Sequence, residues 1–214
     1  MKKFAAILLA ALLLAALPMS GLAAGFGSLL KNNKPTEAPA LPEINFLGIP
    51  WLSSMEEVRD ALVQAGLINE SGVSRFNQVL RFPMGHGACL AIEEEEGERY
   101  YIIDRLDNRN LCEAMMMSSM LTGPLYGHEL HNIQFTFLNN NGVTQLVDVN
   151  VSFMPSSGWE DVSGLVAAEY GEGQKNGDYG TFWAGSDGIG LLLDFGSLNF
   201  GRLDVTELLA QIGD

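Results

Sequence analysis

Ile133-Gln134-Phe135-Thr136-Phe137-Leu138-Asn139-Asn140-Asn141-Gly142-Val143-Thr144-Gln145-Leu146-Val147-Asp148-Val149-Asn150-Val151-Ser152-Phe153 is the stretch that decides the fold class. Large apolar residues alternate with polar ones at Ile133, Phe135 and Phe137, the period of a strand with one buried face. Asn139 to Gly142 supplies residues that tolerate positive φ, so the chain turns back on itself there. In the return strand Val143, Gln145, Val147, Val149, Val151 and Phe153 share one face, leaving Thr144, Asp148, Asn150 and Ser152 on the other. Two antiparallel strands with a common apolar face need neighbours to cover it.

Those neighbours are legible on both sides. After Pro155, Ser156 or Ser157 starts a helix with Glu160 and Asp161 in its first turn, where carboxylates favour the helix dipole. Val162, Leu165, Val166 and Tyr170 follow, and Gly171 ends it. Strands are predicted at Asp178–Ala184, Ile189–Phe195 and Leu198–Leu203, then a last helix over Val205–Ile212. Upstream, structure begins near Ile44. Ser53 or Ser54 caps a helix with Glu56 and Glu57 in its first turn, and Met55, Val58, Leu62 and Ala65 form its apolar side up to Gly66. Strands are predicted at Phe76–Phe82, Ala88–Glu94 and Arg99–Asp104, the last two as a hairpin turning at Glu96-Gly97. Leu111–Leu121 fits strand and helix equally.

The two helices share a plan. Ser53-Ser54-Met55-Glu56-Glu57-Val58 with Gly66 parallels Ser156-Ser157-Gly158-Trp159-Glu160-Asp161-Val162 with Gly171, and three predicted strands follow each. This predicts an α+β protein of two tandem units, 44–121 and 122–214, each a short helix packed on an antiparallel meander sheet. The arrangement resembles the β-lactamase-inhibitor-protein-like fold, and a single unit is similar to the SmpA-type outer-membrane-assembly lipoproteins. The chain departs from the lipoproteins in lacking a lipid-bearing Cys, and from the inhibitor in having one possible disulfide where that family has one per repeat. The resemblance implies capture of another protein on an open sheet face, without catalysis. It assigns no individual residue.

The N-terminus reads as an export signal. Lys2 and Lys3 precede an apolar run from Phe4 to Leu17, and Pro18, Ser20 and Gly21 lead to the small residues Ala23 and Ala24. Residues 1–24 are thus a predicted signal peptide, too short in its apolar run for a permanent span. Residues 25–43, with Pro35, Pro39 and Pro42, read as a flexible tether. Cleavage removes two lysines and no acid, moving the formal charge from −14 to −16. Such a surface repels phosphate backbones and anionic lipid, arguing against nucleic-acid and membrane-surface binding, and is compatible alike with solubility, with cations and with a basic partner. The expected location is secreted or extracytoplasmic, with no transmembrane anchor once the signal is removed. Cys89 and Cys112 would survive export. They either pair, stabilising the fold by about 3 kcal/mol, or stand as two buried thiols.

Motifs that carry chemistry fail on spacing. His128-Glu129-Leu130-His131 is one residue short of the zinc-protease pattern and runs into a strand. His86 in Met84-Gly85-His86-Gly87 has no nucleophile signature beside it. Gly171–Gly177 follows a helix, whereas a phosphate cradle opens one. Glu93–Glu96 with Glu98, and Asp104, Asp107, Asn108 and Asn110, offer oxygens for calcium, but strand alternation splits them and Arg105 and Arg109 compete. No cofactor is implied. Tyr100, Tyr101 and Trp183 are the predicted partner anchors, because adjacent strand tyrosines cannot both face inward. The sequence favours an exported, non-catalytic protein-binding module using a sheet face. The alternative is an extracytoplasmic enzyme or calcium-dependent protein whose site is dispersed along the chain.

Overall fold

The computed structural model describes residues 40–81, 83–155 and 161–212. The predicted signal peptide, most of the predicted tether, and the Ser156/Ser157 helix start with Glu160 lie outside them.

Helix α1 (Met55–Gln64) begins with a reciprocal cap. The Ser54 hydroxyl accepts from the Glu57 amide at 3.2 Å, and the Glu57 carboxylate accepts from the Ser54 amide at 2.7 Å. Helix α2 (Glu70–Arg81) begins where the Asn69 side chain accepts from the Ser71 and Gly72 amides. Here the expected strand at Phe76–Phe82 is corrected, with Phe82 itself outside the described residues. Phe76 and Val79 are buried on one helical side, with Val73 and Leu80 beside them. That spacing of three and four residues belongs to a helix.

Strands β1 (His86–Glu95) and β2 (Glu98–Asp107) form a separate two-stranded ribbon, turning through Glu96 at φ 53° and Gly97 at φ 85°. β3 (Leu111–Met117), β4 (Leu130–Asn140) and β5 (Val143–Phe153) form one meander. Helix α3 (Val162–Tyr170) leads to β6 (Gln174–Lys175), β7 (Thr181–Ala184), β8 (Ile189–Asp194) and β9 (Ser197–Arg202), and α4 (Val205–Ile212) ends the fold. The strands join in one antiparallel sheet of order β3-β4-β5-β9-β8-β7-β6. The molecule is α+β, as the sequence predicts. Its sheet runs across the predicted 121/122 boundary, because β3 pairs with β4.

The main core lies on the front of the sheet, where α1, α2 and α3 cover Phe135, Phe137, Val149, Val151, Leu191 and Phe200. On the rear, α4 and β1 pack over Leu111, Leu138 and Val147. Val147 is there because of a bulge. Thr136 pairs with Asp148 and Phe137 with Leu146, so Val147 is the extra residue and turns to the rear. Strict alternation therefore fails at this point, and Leu146 joins Val149, Val151 and Phe153 on the front.

Side chains of the sheet hold the ribbon. The Leu90 amide donates to Asp148 Oδ2 at 2.8 Å, and Thr136 Oγ1 donates to the Ala88 carbonyl at 2.8 Å. On the other edge the Asn176 side chain accepts from the Tyr101 amide at 2.9 Å and donates to its carbonyl at 2.6 Å. Backbone groups that a third strand would pair are thus satisfied without one. Close approach needs glycine: a Cβ on Gly201 would run into Asp148 and Leu90, and one on Gly190 into Phe182 and Leu90.

Candidate binding face

Strand register lays the rear-facing side chains in rows across β3, β4, β5, β9 and β8. One row is Met117, Asn132, Ser152, Ser197 and Asp194; the next is Met115, Gln134, Asn150, Asn199 and Leu192. The third row, Glu113, Thr136, Asp148, Gly201 and Gly190, is the one β1 sits on. Beyond β1 the sheet stays partly in solvent: Met117 is exposed, and Asn132, Gln134, Asn150, Ser152, Ser197 and Asp194 are half-buried. Five strands make this strip about 19 Å wide.

Its hydrogen bonds run both along and between the rows. Asn150 Nδ2 donates to Asn199 Oδ1, and the Ser152 and Ser197 hydroxyls are 3.2 Å apart. Gln134 Nε2 donates to Glu113 Oε2 at 2.7 Å, and His86 Nδ1 lies 3.5 Å from the same oxygen. Burial raises the Asp194 carboxyl above its ordinary range. Between Met115 and Met117 at one edge and the buried Leu192 at the other, the floor is mostly polar, and its paired Asn and Ser side chains order few rotamers when a partner docks.

At the corner of the strip stands Phe195, 85% exposed. It links β8 to β9 at φ 40°, followed by Gly196 at φ 82°. A turn with two positive φ values is served best by Asn-Gly. A bulky aromatic there is in an unfavourable conformation and leaves its ring in water. The sequence predicts a strand ending at Phe195 and a turn at Gly196-Ser197, whereas the chain turns at Phe195-Gly196 and β9 begins at Ser197. The signal was available in the pair Phe195-Gly196, whose place between two strands demanded a turn former.

The three predicted anchors do not gather at one place. Trp183 is only 3% exposed, in the front core, with its indole Nε1 donating to the Gly171 carbonyl at 2.7 Å. The expectation of an outward anchor there is corrected, since β7 carries apolar residues on both faces. Tyr101 lies on the opposite side of β7, stacked flat on Phe182 with centroids 3.4 Å apart. Tyr100 is half-buried, donates to Glu98 at 2.7 Å and meets Tyr179 edge to face. The two tyrosines do point to opposite faces of the ribbon, as alternation requires.

Cys89 and Cys112 are buried free thiols. Cys112 belongs to the front core and Cys89 to the rear cluster, so the backbone of the sheet lies between them. Burial pushes the Cys112 thiol up to about 12 and Cys89 higher still. His128 Nε2 lies 2.7 Å from Asp161 Oδ1, and no group of three or more His, Cys, Asp or Glu among the described residues is placed to hold a metal. Among them no helix is long and apolar enough to cross a membrane. No family model matches the chain, and no curated protein or solved structure matches it either.

Proposed function

We propose that the chain is an exported, non-catalytic binding protein that takes a basic protein partner on the open rear strip, with Phe195 as its anchor. The observation that carries this reading is Phe195 itself: an exposed aromatic, held in a turn that its side chain disfavours, beside a rigid polar floor. Exposed aromatics framed by polar rims are where binding energy concentrates. Met117 at the far end of the same row offers a second, adaptable apolar contact. The formal charge, −16 once residues 1–24 are removed, favours a basic partner and speeds encounter with one. Export rests on the Lys2–Ala24 pattern, and the resemblance to tandem sheet-binding folds points the same way.

Photo-crosslinkers placed at Phe195 and Ser152 in exporting cells test it. Both positions should trap one and the same basic protein, and a crosslinker at exposed Val63 on α1 should not. Phe195→Ala should cut the yield about tenfold or more while leaving stability unchanged. Equal trapping from Val63, or full yield from Phe195→Ala, overturns the assignment.

A further inference from the structure

A concavity lies on the front side, away from the rear strip, and does not depend on the reading above. It measures about 380 Å³, and its lining includes Asn45, Phe46, Tyr126, Glu169, Tyr170 and Phe200. That is within the size range of small-ligand sites. Phe46 and Phe200 meet edge to face at 5.6 Å in its floor. The Tyr126 hydroxyl donates to Glu169 Oε2 at 2.8 Å, and the Tyr170 hydroxyl reaches the Asn45 carbonyl at 3.4 Å. Two residues of its wall, Leu47 at φ 55° and Tyr126 at φ 51°, hold left-handed backbone without being glycine. Such conformations persist where the surroundings fix them, and they concentrate at ligand clamps.

We infer that this pocket binds an organic ammonium, a primary or methylated amine on a slim aliphatic stem. None of the lining residues is basic, and the single formal charge is the Glu169 carboxylate, so an anion is repelled. A hard metal ion needs several converging oxygens and finds one carboxylate among aromatic rings. A soft organic cation matches both parts, with its charge near Glu169 and its alkyl groups against the partly exposed rings of Tyr126 and Tyr170, over a buried floor of Phe46 and Phe200. Burial, and then the neighbouring Glu169, raise both phenols, so they remain neutral, and the Tyr126 hydroxyl holds the carboxylate in place. The cation has two possible sources: a free quaternary amine, or a lysine side chain of another protein.

Calorimetry and proton NMR of the intact chain separate the outcomes. The probes are tetramethylammonium, choline, a single-lysine peptide with its trimethyllysine form, and the uncharged tert-butyl analogue of choline. At least one cation should bind saturably with Kd of about 1 mM or tighter and shift the Tyr126 and Tyr170 ring signals. The uncharged analogue should bind about tenfold more weakly, because it lacks the cation–π and carboxylate attraction. Glu169→Gln, at an exposed position that leaves the fold intact, should weaken the cation by a similar factor. Tyr126→Phe keeps the ring, frees the carboxylate to move and should weaken binding less. Binding of choline alone identifies a free amine; binding of the peptides alone identifies a partner's side chain. No saturation by any cation, or equal binding of the uncharged analogue, or an unchanged Kd in Glu169→Gln, overturns the inference. Phe195→Ala should leave all of these values unchanged, which keeps this test apart from that of the rear strip.

Discussion

Asp148 is completely buried between the sheet and the ribbon, and burial raises its carboxyl well above the ordinary value of 3.8, with the Leu90 amide opposing in part. The folded chain therefore keeps a proton that the unfolded chain has released. Between pH 3.8 and the raised folded value, stability falls as pH rises, by up to about 1.4 kcal/mol per pH unit. Asp148→Asn keeps an acceptor for Leu90 and removes the titration, so urea midpoints measured from pH 4 to 8 should lose that slope. A slope retained in the variant would assign it to another group. Phe195 is the opposite case, a residue that the fold would exchange. Phe195→Asn suits the turn and should raise stability by about 1 kcal/mol while losing the partner, which denaturation and crosslinking read separately. For the cysteines, a thiol reagent should find neither in the native protein, and both once the unreduced protein is denatured. One bridged pair would instead show no thiol in either state.

At the scale of elements, the ribbon β1–β2 is joined to the sheet by side chains, so its seat depends on the glycines beneath it. Gly201→Ala puts a methyl group against Asp148 and Leu90 and should cost about 1–3 kcal/mol. The loss should appear first as faster amide exchange at Leu90, whose acceptor is displaced. Uniform loosening of the whole sheet would show that the ribbon has no separate seat. The ribbon itself was legible, because Glu96-Gly97 between two apolar runs has one local solution. So was α4, whose span Val205–Ile212 matches the sequence reading. Helix α2 was not, because Phe76, Val79 and Leu80 suit a short buried strand as well as a helix, and its cap, Asn69, stands seven residues before Phe76. The bulge at Val147 was also hidden, since alternation is a local rule and the bulge answers to α4 and Cys89, far away in sequence. The candidate face was half legible. Asn150 and Ser152 were placed on the second face from their period, but their neighbours Ser197 and Asn199 arrive only through the β5–β9 pairing.

At the scale of the whole molecule, the sequence predicts two units and the sheet joins them. β3, from the first, pairs along its full length with β4, from the second, and β5 pairs with β9 through Val149 and Phe200. The front core mixes Met55, Val58 and Phe76 with Phe135, Val166 and Phe200, so neither half owns a separate interior. The Thr144 hydroxyl also accepts from the Met55 amide at 2.9 Å, so β5 helps to cap α1. Splitting the chain at 121/122 would expose the β4 edge and half of that core to water, an edge and an apolar face that unpaired strands do not tolerate. Residues 40–212 should therefore unfold in a single cooperative transition. Far-UV circular dichroism for the strands and near-UV signals for the packed aromatic rings should give the same midpoint in urea. Two separated midpoints, one reporting β1–β3 and the other β6–β9, would show that each predicted unit stands alone and that the continuous sheet is a weak joint between them.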